Sequence, residues 1–142
     1  MRALSLLLVV AVGCAHAEER EVIAPAGSTA LAPYSPAIRI DDLVFLSGQI
    51  GMASGNLVTG GIAAETRQAL ANVDAILSAA DLTAADVVKC TVFLVDMREY
   101  EAMNVVYGEY FRTAPPARSA VAVAGLPRNA RVEIECIARS RE

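Results

Sequence analysis

Polar and apolar positions along this chain repeat with two different periods, and each change of period predicts a change of element. Short runs with strand character occupy 37–40 and 44–49, and the turn residues between them predict a hairpin. The glycine-rich stretch 51–61 predicts a loop. Over 63–80, apolar positions recur every three or four residues, which predicts an amphipathic helix.

The second half of the chain repeats the order of strand and helix. Residues 87–95 predict a strand that is apolar on both faces. Simple alternation divides its side chains into Val88, Val92 and Leu94 on one face and Val87, Phe93 and Val95 on the other. A second helix is predicted to begin at Asp96 and to stop at Pro115–Pro116. Residues 117–124 and 131–138 predict the last two strands.

The resulting order, β-β-α-β-α-β-β, predicts a single α/β (α+β) domain with a mixed sheet and two helices on one face. The strands at 87–95 and 118–124 are apolar on both faces, so the second face of the sheet also needs cover. Because the chain offers no further element for this purpose, we expect self-association. Self-association would allow a site to be built between subunits.

The N-terminal residues have the pattern of an export signal. A basic start, the apolar run 3–13 and the small residues around His16 predict a signal peptide over 1–17, cleaved after Ala17. The apolar run is shorter than the roughly 20 residues that a membrane-spanning helix needs. We therefore expect a periplasmic or secreted protein, with lipidation at Cys14 as the alternative.

Residues 18–31 are rich in Ala, Pro and Gly and predict an extended lead-in to a domain over 32–140. The chain carries 12 basic and 16 acidic residues, a net charge of −4, and has no basic run. Nucleic-acid binding therefore has no electrostatic support.

Histidine and cysteine usage limits the chemistry further. The one histidine, His16, lies in the predicted leader, so a Ser-His-Asp triad is excluded after cleavage. Cys90 and Cys136 fall in predicted strands, where we expect buried apolar fillers, although an oxidising compartment would permit a disulfide. With no histidine and two separated thiols, we predict no metal site.

Arg118 is the first candidate for binding chemistry. It begins a predicted strand directly after Pro115–Pro116, a rigid pair that would fix the backbone orienting it. A guanidinium presents a planar pair of donors that matches a carboxylate. Arg118 either binds a substrate carboxylate or forms a structural salt bridge, and the pattern leaves both readings open.

Glu133 and Glu135 are the candidates for acid–base chemistry. They are two apart on a predicted strand and therefore share a face, together with Arg131. Neighbouring carboxylates raise each other's pKa, and burial raises it further. Such a carboxylate can exchange a proton or orient a water molecule. The alternative is a solvated polar edge.

Three further residues have polar groups suited to a pocket. Tyr34 lies in a proline-bracketed segment and could form a pocket wall with a polar tip. Ser47 ends a strand, where its hydroxyl suits hydrogen bonding rather than nucleophilic attack. Asn104 lies on the second helix, where a solvated or capping role is the alternative.

Four of these segments, in this order and spacing, resemble the RidA family (also called YjgF/YER057c/UK114). The resemblance covers about 32–139 and is carried by Leu46-Ser47-Gly48-Gln49-Ile50, 87–94, Pro116-Ala117-Arg118-Ser119 and Val132-Glu133-Ile134-Glu135. It implies a chorismate-mutase-like fold and a homotrimer with three clefts between subunits.

The resemblance also implies a reaction and a role for each candidate residue. The reaction is hydrolysis of reactive enamines and imines, such as 2-aminoacrylate and its imine tautomer, to a 2-keto acid and ammonia. No cofactor is needed, because an imine carbon is already electrophilic. Arg118 would bind the substrate carboxylate, and Glu133 would activate the attacking water. Tyr34, Ser47 and Asn104 would hold substrate or water.

Two other functions remain open from the sequence. One is a trimer whose clefts bind small carboxylates without turnover. The other is a chaperone-like protein that acts through apolar surface.

Overall fold

The computed structural model describes residues 20–28 and 33–140. The predicted leader and residue 32 lie outside these ranges. The strands are β1 Glu21–Ile23, β2 Ala37–Ile40, β3 Leu43–Ile50, β4 Met52–Ala53, β5 Asn56–Leu57, β6 Val87–Leu94, β7 Ala117–Ala122 and β8 Val132–Arg139. The helices are α1 Gly61–Ala79 and α2 Tyr100–Tyr110, and short 3₁₀ turns lie at Ala84–Asp86, Met97–Glu99 and Pro127–Asn129.

Six strands form one mixed sheet in the order β1-β2-β3-β8-β6-β7. β6 and β7 run parallel, and every other neighbouring pair in this sheet is antiparallel. The buried side chains of the central strands face α1 and α2, so both helices cover one face. The predicted α/β (α+β) class, with a mixed sheet and two helices on one face, is confirmed.

Two regions contain strands that the sequence pattern did not predict. Glu21–Ile23, inside the 18–31 lead-in, pairs antiparallel with β2 and extends the sheet. Its Ile23 side chain is buried in the core. Within the predicted loop 51–61, β4 and β5 form a two-residue hairpin. These three strands have only two or three residues each, which is too few for a two-residue alternation to be recognised beside turn residues.

The predicted faces of the long strand β6 are wrong at its start. The register of β6 on β8 shifts between Val87 and Lys89, which places an extra residue in the ladder. As a result Val87 is buried in the core, whereas Val88 is 46% exposed. Simple alternation had placed Val88 on the face of Val92. That prediction failed because a bulge moves every side chain before it to the other face.

Cys90 and Cys136 are buried, as predicted, but they are joined in a disulfide. They stand directly opposite each other on the antiparallel strands β6 and β8, with α-carbons 4.1 Å apart. The bond links two neighbouring interior strands through residues 46 apart in sequence. The pairing register, which the sequence does not display, brings the two thiols together.

The other face of the sheet carries no helix within the described residues. It presents partly exposed apolar side chains, including Phe45 and Val121, each 41% exposed, beside polar Lys89 and Ser119. This surface, hereafter the open face, also carries Glu133 and Glu135. Among the described residues, no helix combines the length and the apolar character needed to cross a membrane.

Candidate active site

A bulge in β3 shapes the centre of the site. β3 and β8 pair regularly up to Leu46 and Cys136, and the register then shifts, so that Gln49 pairs with Ile134. Two residues of β3, Ser47 and Gly48, therefore stand opposite one residue of β8. The side-chain amide of Gln49 donates to the carbonyls of Ser47 and Gly48 at 2.9 and 3.1 Å, which fixes the bulge.

The bulge places Gly48 against the carboxylate of Glu133. A β-carbon built on Gly48 would stand 1.9 Å from Oε1 of Glu133 and 2.7 Å from its carboxyl carbon. Glycine therefore provides the space that the carboxylate occupies. Partial burial raises the pKa of Glu133, and the negative charge of Glu135 raises it further. Glu133 is thus better suited to hold a proton than an ordinary surface glutamate.

Ser47 connects β3 to the segment that carries Tyr34. Its hydroxyl donates to the carbonyl of Ser35 at 2.7 Å, and its backbone N–H donates to the carbonyl of Pro36 at 2.9 Å. The hydroxyl proton is therefore engaged, while the oxygen keeps acceptor capacity. These two bonds hold the Tyr34 segment beside Glu133.

Glu133, Tyr34 and Ser47 share a cavity of about 520 Å³. Its other lining residues are Gly48, Gln49, Ile50, Met52, Asn72, Pro127 and Arg128. The amide of Asn72 donates to the carbonyls of Ile50 and Met52, both at 3.0 Å, and so ties α1 to this wall. Three of the five predicted site residues therefore come together in one chain.

The other two predicted residues, Arg118 and Asn104, meet at a separate place. Nη1 of Arg118 donates to Oδ1 of Asn104 at 2.7 Å, and Nη2 donates to the hydroxyl oxygen of Tyr100 at 2.9 Å. The guanidinium lies 4.6 Å from the ring centroid of Tyr107, a cation–π distance. None of the ion pairs among the described residues involves Arg118.

The guanidinium of Arg118 is held in place by neutral partners, and no carboxylate among the described residues balances its charge. Tyr107 is buried, and burial raises its pKa to about 12, an effect that the charge of Arg118 partly opposes. The phenol is therefore neutral and offers its ring face rather than a negative charge. Asn104 holds the guanidinium, which is a positioning contact within this chain.

Arg118 and Glu133 lie on opposite faces of the sheet. Arg118 on β7 pairs with Cys90, whose side chain is buried on the helix face, and reaches the α2 residues Tyr100 and Asn104. Glu133 on β8 pairs with Phe93 and points to the open face. A small molecule bound by Arg118 of one chain therefore cannot also contact Glu133 of that chain.

Arg131 does not share the face of Glu133 and Glu135, contrary to the sequence prediction. It precedes β8, and its Nη1 forms an ion pair with Glu99. Its backbone N–H donates to Oε2 of Glu65 at 2.8 Å, and Glu65 is only 3% exposed. Alternation does not apply there, because Arg131 lies outside the regular strand.

Two polar lining residues, Asn72 and Arg128, were not among the candidates from the sequence. Asn72 falls in the predicted helix 63–80, and a single polar residue in a helix does not show what its side chain contacts. Arg128 falls in the turn at 125–129, where proline and asparagine signal a turn but do not show which way its side chains point. Among the described residues, no group of three or more His, Cys, Asp or Glu side chains is arranged to hold a metal ion.

Comparison with known proteins adds a family relationship to this geometry. The family model described as Endoribonuclease L-PSP matches residues 25–140. A 2-iminobutanoate/2-iminopropanoate deaminase of Bos taurus is 48% identical over 122 residues, which cover 84% of this chain and 89% of the relative.

Solved structures show the same fold. The crystal structure of the yeast protein YEO7 matches with a TM-score of 0.83 and 38% identity, over 87% of this chain and all of that one. TdcF of E. coli, crystallised with bound serine, matches with a TM-score of 0.79 and 35% identity, over 85% of this chain and 99% of that one.

Proposed function

The chain belongs to the endoribonuclease L-PSP family, also called the RidA family, and we propose that it is a 2-iminobutanoate/2-iminopropanoate deaminase. In this reaction the imine of a 2-imino acid is hydrolysed to a 2-keto acid and ammonia. Enamines such as 2-aminoacrylate enter by taking a proton on carbon to become the imine. The substrates are small imino acids and the products small keto acids.

The observation that carries the proposal is the carboxylate of Glu133 in a cavity of about 520 Å³ beside Tyr34 and Ser47. Its pKa is raised by burial and by Glu135, which makes it a better proton acceptor than an ordinary glutamate. A water molecule that donates to Glu133 has acceptor and donor partners nearby in Ser47 and Tyr34. This arrangement suits hydrolysis without a histidine.

Glu133 carries both protons that move in this reaction. The water oxygen bonds to the imine carbon while one water proton passes to Glu133, and the C=N double bond becomes a single bond as Glu133 gives that proton to the nitrogen. The proton of the new hydroxyl then passes by way of Glu133 to the same nitrogen. The C–N bond breaks, ammonia leaves and the C=O bond of the keto acid forms.

Arg118 binds the carboxylate common to all 2-imino acids. Its guanidinium is held by Asn104, Tyr100 and Tyr107 and has no acidic partner among the described residues. A fixed guanidinium loses little freedom when it takes a carboxylate, so binding also orients the imine carbon. TdcF, the relative crystallised with bound serine, holds a small carboxylate compound as well.

The active site is shared between subunits of a homotrimer. Arg118 faces α2 and Glu133 faces the open face, so one chain cannot supply both to a small substrate. A neighbouring chain packed on the open face brings its own Arg118 to Glu133. The exposed Phe45 and Val121 on that face give the association an apolar driving force.

The mature protein works in the periplasm or outside the cell. The pattern of residues 1–17 supports export, and the buried Cys90–Cys136 disulfide fits an oxidising compartment. Mass spectrometry of the exported protein tests this directly. An N-terminus at Glu18 supports cleavage after Ala17, whereas a lipid on Cys14 identifies a lipoprotein.

The activity is tested with imino acids generated by an amino-acid oxidase. Keto acid and ammonia are followed over time, with and without the protein. We expect the protein to accelerate release and Glu133→Gln, which keeps the shape but not the basicity, to lose at least about 10²-fold in rate. Glu101→Gln, at an exposed position on α2, is the matched control. Equal rates with and without the wild-type protein would refute the activity.

A further inference from the structure

Arg128 lines the same cavity as Glu133 but has no part in the proposed hydrolysis. It lies in the 3₁₀ turn Pro127–Asn129, which leads into β8. Arg128 and Asn129 both have left-handed backbone angles, with φ of 60° and 59°. Pro127 lines the cavity next to it, so this wall is built from the turn that precedes the catalytic strand.

No carboxylate in the part of the chain that the structure describes pairs with Arg128. Five arginines of the described ranges form ion pairs with carboxylates: Arg39, Arg67, Arg98, Arg131 and Arg139. Arg128 takes part in none of the ion pairs or side-chain hydrogen bonds found within 20–28 and 33–140. Glu133, the one carboxylate in the described lining of the cavity, is also not bonded to it.

Arg128, an exposed residue on the cavity wall, therefore adds a guanidinium without an ion pair among the described residues to the one that binds the common carboxylate. Arg118 lies outside this lining and on the other face of its own sheet. Two separate guanidinium groups match two separate anionic groups on one ligand. A cavity of about 520 Å³ is also within the range of about 300–1,000 Å³ that accommodates larger ligands than a four-carbon acid.

From these contacts we propose that Arg128 determines substrate preference by binding a second carboxylate, so that 2-imino dicarboxylic acids are the favoured substrates. This inference rests on the proposed deaminase function. The reaction at the imine carbon is unchanged, and the side-chain carboxylate enters and leaves with the same charge. Arg128 acts on binding and orientation, while Glu133 handles the proton.

The test compares imines made by oxidases from aspartate or glutamate with imines made from an apolar amino acid such as leucine. The quantity measured is the ratio of kcat/KM for the dicarboxylic imine over the apolar imine. Arg128→Ala should lower this ratio by roughly tenfold or more, since a charge-assisted bond is lost. Arg128→Lys, which keeps the charge, should restore part of the ratio.

Arg112→Ala is the matched control, because Arg112 is exposed and the one partner its side chain bonds among the described residues is the carbonyl of Glu109 at the end of α2. It removes the same charge from the chain and should leave the ratio as in wild type. An unchanged ratio in Arg128→Ala, or an equal fall in Arg112→Ala, overturns the inference. The first result means that Arg128 selects nothing, and the second means that only overall charge matters.

Calorimetry separates this inference from the activity on which it rests. A dicarboxylic keto acid, 2-oxoglutarate, and a monocarboxylic one, 2-oxobutanoate, are titrated into wild type and Arg128→Ala. Tighter binding of 2-oxoglutarate that is lost in Arg128→Ala supports the second carboxylate site even if no imine is hydrolysed. Equal affinities for both acids in wild type contradict it even if imines are hydrolysed rapidly.

Discussion

The carboxylate of Glu133 occupies the space that a side chain on Gly48 would fill. A β-carbon on residue 48 would stand 1.9 Å from Oε1. The contact lies at the bulge of β3, where Ser47 and Gly48 stand opposite one residue of β8, the strand that carries Glu133. The position of the proposed proton carrier thus depends on the absence of a side chain on the neighbouring strand.

Gly48→Ala should therefore displace the carboxylate while leaving the fold intact. The atoms that must move belong to the flexible end of the Glu133 side chain, so the free energy of unfolding should change by less than about 1 kcal/mol. A misplaced carboxylate should lower kcat by about 10²-fold. Thermal unfolding and imine hydrolysis measure the two effects.

The matched control for this change is Gly108→Ala. Gly108 lies on the exposed side of α2, and a β-carbon there has open space. Alanine in a helix interior should add about 0.5–1 kcal/mol of stability and leave kcat unaltered. Wild-type kcat in Gly48→Ala would contradict the assigned role of the contact.

Asn104→Asp should weaken substrate binding through Arg118. The substitution keeps the shape of the side chain but places a negative charge where Oδ1 now accepts from Nη1 at 2.7 Å. The new carboxylate competes with the substrate carboxylate for the same guanidinium, so KM should rise roughly tenfold or more. Asn104→Ala, which removes one hydrogen bond, should raise KM less than Asn104→Asp does. A larger rise in KM for Asn104→Ala would argue against binding of the substrate carboxylate by Arg118.

Mixed oligomers test whether Arg118 and Glu133 of one site come from different chains. Arg118→Ala and Glu133→Gln are each expected to be nearly inactive. Coexpressed in equal amounts, they should regain about one quarter of wild-type activity, because each interface draws its two chains independently. If the mixed oligomers are as inactive as each variant alone, Arg118 and Glu133 of one site do not come from different chains.

The pH dependence of stability should change in Glu133→Gln. Burial and the charge of Glu135 raise the pKa of Glu133, so the folded state binds this proton more tightly than the unfolded chain. Stability therefore falls as pH rises from about 4.3, the unfolded pKa, through the raised folded value. Glu133→Gln removes the cost of ionising this carboxyl group in the folded state. The Tm of the variant minus the Tm of wild type should therefore be larger at about pH 8 than at about pH 4. A constant difference in Tm would contradict the shift.

Reduction of the Cys90–Cys136 disulfide should destabilise the sheet. A bond that closes a loop of this length contributes about 2–4 kcal/mol, and here it links the neighbouring strands β6 and β8. Unfolding followed with and without dithiothreitol should show a clear fall in Tm for wild type. The Cys90→Ala/Cys136→Ala double variant should have the lower Tm both with and without dithiothreitol. A wild-type Tm that dithiothreitol does not change would argue that the two thiols are free.

Local patterns predicted most of the fold. The three- and four-residue period of α1 and the alternation in β2 and β8 depend on which side of an element is buried, which the sequence records directly. The strand Glu21–Ile23 was missed because three residues do not display a period. The faces of Val87 and Val88 were reversed because a bulge at the start of β6 shifts the alternation.

The sequence by itself determined the order of the two helices and of the five longest strands, the absence of a histidine from the predicted mature chain and the candidate residues for the chemistry. Only the tertiary structure decided which of them meet. It joined Cys90 to Cys136 through strand register, brought Tyr34, Ser47 and Glu133 into one cavity and placed Arg118 on the opposite face. The reason is physical: periodicity reports the environment of each residue along its own element, whereas register, bulges and strand order set the distances between elements.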